Sequence, residues 1–219
     1  HSCQRKIQLV FPLKMPPNLI NRLASMKVVI TGKGGQLAYE LEQIVPDGKE
    51  VICVDSTELD ISNESLVSEF ILRTKPDLVI NAAAYTSVDK AEEETNAAYT
   101  VNHHGIKNLA NACKKINIRL LHVSTDFVFD GASSIPYQIN SKPNPINVYG
   151  ASKLAGEIAL QEILPNKSVI VRTAWVYSVN GNNFVKSMLR LMQDKPQLGL
   201  IYDQVGSPTW ARGLAEWLW

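Results

Sequence analysis

Tyr149 and Lys153 stand four residues apart in Asn147-Val148-Tyr149-Gly150-Ala151-Ser152-Lys153-Leu154-Ala155-Gly156-Glu157, and the apolar spacing that follows predicts a helix. On a helix, residues at that spacing share a face, with Cβ atoms about 5–6 Å apart. A free phenol titrates near ~10 and is a poor proton relay at neutral pH. A neighbouring ammonium favours the phenolate. Bringing the phenol down to about 7 takes roughly 4 kcal/mol of differential stabilisation. Such a pair has the makings of a general acid/base. The same spacing is common by chance, as a surface lysine beside a half-buried tyrosine, so its weight depends on what surrounds it.

A second candidate lies near the start. Lys27-Val28-Val29-Ile30-Thr31 is a short β-branched run of the kind that forms a buried parallel strand. It enters Gly32-Lys33-Gly34-Gly35-Gln36-Leu37-Ala38, and helical spacing resumes over Tyr39–Val45. Gly32, Gly35 and Ala38 occupy the key positions of G-x-x-G-x-x-(G/A). Without Cβ atoms the turn is tight and its backbone approaches a pyrophosphate at the helix N-terminus. An ordinary strand-to-helix turn is the bland alternative. Val51-Ile52-Cys53-Val54 predicts the second strand and ends in Asp55, where an acid grips a ribose hydroxyl in dinucleotide-binding folds.

These residues need a scaffold, and the rest of the chain supplies its pattern. Ser62 is placed to cap a helix over Asn63–Leu72, and Asp77–Asn81 predicts a third strand running into Ala82-Ala83-Ala84. Asn96–Cys113 predicts a long helix, and Arg119–Ser124 a fourth strand with hydroxyls at Ser124 and Thr125. Residues Asp130–Asn147, rich in Pro, Ser, Gly and Asn, form a loop long enough to serve as a lid. The Tyr149 helix then runs to about Ile163, with Ser168–Arg172 as a fifth strand and Phe184–Met192 as a last amphipathic helix. Strand and helix alternate throughout, so the expected fold is α/β, a doubly wound parallel sheet of Rossmann type. In such sheets ligands bind beyond the carboxyl ends of the strands, and Gly32, Asp55, Ala82, Thr125 and Trp175 all fall at or just past such ends.

Composition excludes several classes. With 219 residues, 45% of them hydrophobic, the chain suffices for one sizeable core or a core with a partial second one. A net charge of +1 with scattered Lys and Arg gives no nucleic-acid-binding surface. No apolar run reaches the ~18 residues of a membrane span. Cys3, Cys53 and Cys113 lack metal-ligand spacing and fit a reduced cytoplasm. His103 and His104 are adjacent and cannot easily chelate one metal, so no residue is assigned to a metal. Residues 1–25, with Pro12, Pro16 and Pro17, read as a disordered extension before Met26. Residues 26–172 read as the dinucleotide-binding domain and 173–219 as a small, truncated substrate lobe.

Read together, several stretches are specific: Gly32–Leu37, Asn81–Glu92, Ser124–Gly131, Pro145–Gly150, Arg172–Tyr177 and Asp203–Thr209. The chain resembles the extended short-chain dehydrogenase/reductase family and, within it, the dTDP-4-dehydrorhamnose reductases. The resemblance implies reduction of a 4-keto dTDP-sugar by NADH or NADPH. It gives Tyr149 the role of proton donor to the alkoxide, Lys153 that of holding the nicotinamide ribose and lowering the Tyr149 pKa, and Thr125 that of hydrogen-bonding the carbonyl oxygen. It lays Gly32, Gly35, Gln36 and Leu37 along the diphosphate, Asp55, Asp60 and Ile61 on the adenosine side, and Ala84, Tyr85 and Thr86 on the other flank. Asp126 and Trp175 match substrate-contacting positions. It leaves open a homodimer and a Mg²⁺ held with help from Glu40.

Phe127 stands where relatives carry Tyr, which removes a hydroxyl from the sugar side. The family pattern also continues past Pro208-Thr209, whereas this sequence ends in Glu216-Trp217-Leu218-Trp219, so a fragment with an incomplete substrate half is expected. Two other readings share the scaffold. Nucleotide-sugar dehydratases and epimerases are similar, but dehydratases carry Asp-Glu after the Thr and this chain has Asp126-Phe127. A non-catalytic regulatory subunit resembling the methionine adenosyltransferase beta subunit is the other; intact Thr125, Tyr149 and Lys153 lean against it.

Overall fold

The computed structural model describes residues 26–199 and 206–219. The expected extension over 1–25, and residues 203–205 of the last motif, lie outside the described residues.

Five parallel strands form the sheet: β1 (Lys27–Thr31), β2 (Glu50–Val54), β3 (Leu78–Asn81), β4 (Arg119–Thr125) and β5 (Ser168–Thr173), in the spatial order β2-β1-β3-β4-β5. Side chains alternate across a strand, so β1 feeds two cores. Val29 joins a cluster with Val67, Ile71, Leu109 and Leu160. These residues belong to α2 (Glu64–Thr74), α5 (Ile106–Lys115) and α6 (Val148–Ile163). Val28 and Ile30 pack on the other face against Leu37 and Leu41 of α1 (Gln36–Gln43) and Ala215 and Leu218 of α8 (Ala211–Leu218). The strand order reverses between β1 and β3, which is the switch point where such sheets open a ligand crevice.

Several elements depart from the expected pattern. Asn63, rather than Ser62, caps α2: its Oδ1 accepts from Leu66 N–H at 3.1 Å, while Ser62 donates from both N–H and hydroxyl to Asp60. The long helix expected over Asn96–Cys113 is α4 (Thr95–Tyr99), a π turn (Thr100–Gly105) and α5. The extra residue in a π turn re-aims side chains, and here Asn102 lies inside, 1% exposed. It accepts from Tyr85 N–H and donates to Tyr85 O and Ser152 Oγ, tying the loop after β3 to α6. A short helix α3 (Val88–Glu93) precedes it, without a legible period in its sequence. Past β5, the expected separate lobe over 173–219 divides. β6 (Val176–Tyr177), α7 (Phe184–Asp194) and β7 (Thr209–Trp210) flank the carboxyl edge, but α8 belongs to the sheet core. Its apolar face buries Ala211, Ala215 and Leu218, and Trp219 Nε1 donates to Leu41 O at 3.1 Å.

Two glycines set how closely α6 approaches its neighbours. A Cβ at Gly150 would overlap the Phe127 carbonyl, and one at Gly156 would overlap the Asn102 carbonyl. Alanine is the better helix former by about 1 kcal/mol, yet overpacking against rigid backbone costs about 1–3 kcal/mol. Gly156→Ala is therefore expected to lower stability by about 1–2 kcal/mol despite its helix propensity, read as a lower urea midpoint. A stabilised Gly156→Ala protein would show that α6 is not seated on the π turn.

Candidate active site

The first turn of α6 is fixed three ways. Asn147 Oδ1 accepts from Gly150 N–H at 2.7 Å, and Glu92 of α3 accepts from Val148 N–H at 2.8 Å, placing a carboxylate at the positive end of the helix. The Phe127 ring meets Tyr149 edge-on, centroids 5.6 Å apart. Tyr149 is thereby held beside Thr125 at the end of β4. Burial raises its phenol above the ordinary tyrosine value; the Thr125 hydroxyl opposes this and the Asp126 carboxylate reinforces it. Thr125 Oγ1 accepts from Phe127 N–H at 3.2 Å and donates to Asp126 Oδ1 at 3.2 Å. Asp126 is itself pushed up, mainly by burial.

Lys153 lies one turn further along, only 2% exposed. Its Nζ donates to Val123 O at 2.7 Å and lies 3.3 Å from His122 Nε2. Burial lowers it from the ordinary lysine value to about 7, against the pull of Glu157. The resemblance gives Lys153 the role of lowering the Tyr149 pKa; in this chain burial acts on both groups, drawing the lysine down and the phenol up. With water excluded, the lysine itself gives up charge readily, and the phenol sits above its ordinary value rather than below it.

The glycine turn lies across the sheet from this pair. Gly32 (φ +90°) and Gly34 (φ +87°) hold left-handed backbone, and a Cβ on Gly32 would come within 2.7–2.8 Å of the Ala82–Ala83 backbone. The turn is anchored by Gly32 and Lys33 N–H to Val54 O, both 3.0 Å. Gly35 precedes the helix and its N–H returns to Gly32 O. The next helical amide with a backbone partner is that of Tyr39, so those of Gln36, Leu37 and Ala38 are open to an anion. Leu37 turns its side chain into the core, and Gln36 reaches Val176 O and Asn183.

Asp55, at the tip of β2, accepts from Thr57 N–H, Thr57 hydroxyl and Glu58 N–H, all on Oδ1. Lys33 pairs with Glu58 at 3.3 Å on the exposed rim. Asp60 shapes a turn with Ser62, and Ile61 is core, packed against Gly105 with its carbonyl held by Asn108. Ala84 and Tyr85 are half-buried and Thr86 exposed past β3, with the Tyr85 hydroxyl on Glu94 at 2.7 Å. The structure thus gathers the glycine turn, Asp55 and the Ala84–Thr86 loop at the same strand ends as Thr125, Tyr149 and Lys153. Asp60 and Ile61 are accounted for by their turn and the core.

Past the end of β5, a cleft of ≈ 490 Å³ opens beside Asp126, between Arg172, Thr173, Ala174, Leu214 and Trp217. Its wall is stiffened by Arg172, which pairs with buried Glu157 at 2.6 Å and lies over the Phe129 ring. Trp175 is 38% exposed and sits in left-handed backbone (φ +49°), a strained position for a bulky residue. After a 3₁₀ turn (Asp126–Val128), the loop Asp130–Asn147 holds no helix or strand, as expected. Asp130 ties it down by accepting from Asn144, Ala132 and Tyr137, which holds that carboxyl at about 2. Glu40 does not fit the Mg²⁺ role: one oxygen accepts from Ser178 at 2.6 Å and the other from Arg212 at 2.7 Å, so both are engaged internally. No group of three metal-ligating side chains occurs among the described residues. Nor, among them, is any helix long and apolar enough to cross a membrane.

A model of the RmlD substrate binding domain family matches residues 26–219. The chain belongs to that family. It is 46% identical over 192 residues to a dTDP-4-dehydrorhamnose reductase of Aggregatibacter actinomycetemcomitans, covering 87% of this chain and 65% of the relative. It is 43% identical over 195 residues to that of Salmonella typhimurium, with the same coverage of both. The chain thus spans 65% of the length of these two curated relatives. Among solved structures, the Clostridium acetobutylicum dTDP-4-dehydrorhamnose reductase is 43% identical with a TM-score of 0.85, covering 88% of this chain and 69% of the other. The Bacillus anthracis protein, solved in complex with NADP, is 40% identical with a TM-score of 0.86, covering 89% and 69%.

Sequence reasoning passed over His122, Asn81, Asn102 and Glu157, all fully buried polar residues around Lys153. The available signal was a lone histidine in the apolar run Leu120-Leu121-His122-Val123. Burial of these bases carries a pH dependence. Unfolded, Lys153 keeps its proton to 10.5; folded, it releases it near 7. The unfolded chain binds more protons between those values, so stability rises with pH across that window. His122, held well below 6.5 by burial and then by Lys153, extends the rise downward. The unfolding free energy from urea titrations is expected to climb from pH 6 to 8.5, by about 1 kcal/mol per pH unit in the upper part, and Lys153→Met to flatten that upper part. An unchanged slope in Lys153→Met would contradict the burial argument.

Proposed function

We propose that this protein reduces the 4-keto group of dTDP-4-dehydrorhamnose to give dTDP-L-rhamnose, using NADH or NADPH, as a cytoplasmic enzyme of nucleotide-sugar synthesis. The observation that carries this reading is the convergence of Thr125, Tyr149 and Lys153 with the glycine turn at one end of the sheet. The names of the relatives support the substrate. Left-handed glycines, three open amides at the start of α1 and a carboxylate at the tip of β2 suit a dinucleotide.

When bound, the nicotinamide cofactor supplies the hydride. The chain supplies the proton and the charge stabilisation. Tyr149, held as a phenol by burial, donates its proton to the C4 oxygen as negative charge develops there. The Thr125 hydroxyl, held by Phe127 N–H, turns its one proton from Asp126 to the same oxygen as a second hydrogen bond. Asp126, Arg172 and Trp217 line the cleft that receives the sugar. Tyr149→Phe keeps the ring and loses the proton. It should keep dinucleotide affinity and lose roughly 10²–10⁴-fold in turnover of dTDP-4-dehydrorhamnose. Near-normal turnover in that variant would sink the assignment.

Cofactor choice follows from the rim of β2. Asp55 repels a 2′-phosphate, which favours NADH. Lys33 is the nearby cation, and its exposed pair with Glu58 is screened by solvent and weak. That is too little to keep it from a phosphate, so the preference for NADH is modest. Glu58→Ala removes a carboxylate and frees Lys33, and should shift the NADPH/NADH affinity ratio several-fold upward at fixed ionic strength. Lys33→Ala should weaken NADPH alone. Equal effects of Lys33→Ala on both cofactors would remove the lysine from this role.

A further inference from the structure

We propose that Asp130 is a positioning residue: with Asn144 it clasps the base of the long loop after β4 and so sets the turn that presents Tyr149. The catalytic consequence rests on the proposed reductase function, in which that phenol is the acid; the clasp itself does not. The composition of Asp130–Asn147 suits a lid, yet the two ends of this loop are joined. Asn144 N–H donates to Val128 O at 2.9 Å, and Asn144 Nδ2 donates to Asp130 Oδ2 at 3.0 Å.

The Asp130 carboxylate gathers both halves of the loop. Its other oxygen accepts from Ala132 N–H at 3.0 Å and from the Tyr137 hydroxyl at 2.9 Å. The Tyr137 ring stacks on Phe129, with centroids 4.1 Å apart and planes 3° from parallel, and the Arg172 guanidinium lies over the Phe129 ring. A carboxylate only accepts, and three donors converge on this one. Residues 131–140 face solvent, so the ordered part of the loop is its base and not its tip.

What the clasp fixes is the entry to α6. Only Pro145 and Ile146 separate Asn144 from Asn147, the cap of α6, and Tyr149 follows two residues later. Proline locks its own φ, so this short segment has little slack. A Cβ at Gly150 would come within 2.1 Å of Phe127 O and 3.1 Å of Pro145 Cβ. The first turn of α6 is therefore wedged between the 3₁₀ turn and the returning end of the loop. Phe127, whose ring meets Tyr149 edge-on and whose N–H holds Thr125, belongs to that same 3₁₀ turn. Slack between Val128 and Asn144 thus moves the phenol relative to the Thr125 hydroxyl. A misplacement of reacting groups by 1 Å can cost about 10²-fold in rate. Glu92 supports the helix from the other side, through Val148 N–H.

The clasp depends on the direction of one bond, which two substitutions of nearly unchanged size can reverse. Asn144→Asp replaces the donor by a second carboxylate facing Asp130, so the bond is lost and repulsion takes its place. Adding Asp130→Asn restores a donor from the opposite side of the pair, while its amide oxygen still accepts from Ala132 and Tyr137. Asn144→Asp is expected to lower kcat for dTDP-4-dehydrorhamnose about tenfold or more, with dinucleotide affinity unchanged. It should also speed amide hydrogen exchange in the peptide 145–152, while α2 exchanges as in the wild type. The double variant Asp130→Asn/Asn144→Asp is expected to recover most of both. Wild-type kcat and exchange in Asn144→Asp, or a double variant no better than Asn144→Asp, would overturn the proposal. So would exchange rising equally in α2 and α6, or loss of the fold, since the role would then be one of global stability. A wild type without turnover would remove the reductase reading, and the exchange comparison then decides the clasp by itself.

Discussion

An ammonium taken fully out of water is penalised by several kcal/mol unless it is paired or discharged, and the burial of Lys153 is the constraint around which this structure is arranged. Its amine reaches the Val123 carbonyl and the His122 ring only because α6 lies so close to β4 and the π turn. That closeness needs Gly150 and Gly156, where any side chain would meet a backbone carbonyl. It also needs Asn102, turned inward by the π turn, to bond Ser152 of α6 and the loop after β3 together. Tyr149 is carried on the first turn of the same helix, so the lysine's seat also fixes the phenol.

The sheet makes the second contribution. Parallel strands end on one side, and the reversal of order between β1 and β3 leaves a gap there that no crossover helix covers. The left-handed glycine turn fits against Ala82–Ala83 across that gap. A buried chain of polar contacts, Thr31 to Asn81 to His122 to Lys153, runs beneath it, from the strand that feeds the glycine turn to the helix that carries Tyr149. Cofactor side and acid side are thus two ends of one interior network, not neighbours by chance.

Much of this was legible in the sequence, for definite reasons. Short apolar runs such as those in Lys27–Thr31 and Arg119–Ser124 read as buried strands, and their alternation with helical periods implied the parallel sheet. The Tyr149 helix announced itself by its spacing. What the sequence hid depends on tertiary context. The π turn breaks no pattern, since Thr100–Gly105 reads as helix by composition. Ser62 and Asn63 are both good caps, and only the prior engagement of Ser62 by Asp60 decides between them. Helix α8, short and tryptophan-rich, reads as a loose tail until its apolar face is seen against Leu37 and Leu41. The electrostatics of Tyr149 and Lys153 were hidden for the same reason: spacing brings two groups together, but burial shifts the proton affinity of each.

The central claim is that the strand ends between the glycine turn and Tyr149 bring a nicotinamide against a 4-keto dTDP-sugar. The most direct measurement is isotope transfer: incubation of the protein with dTDP-4-dehydrorhamnose and nicotinamide cofactor carrying deuterium at C4 of the reduced ring, followed by NMR of the sugar nucleotide. The account predicts dTDP-L-rhamnose with deuterium on C4 of the sugar. Deuterium at another carbon, or consumption of the sugar with no label incorporated, would contradict it.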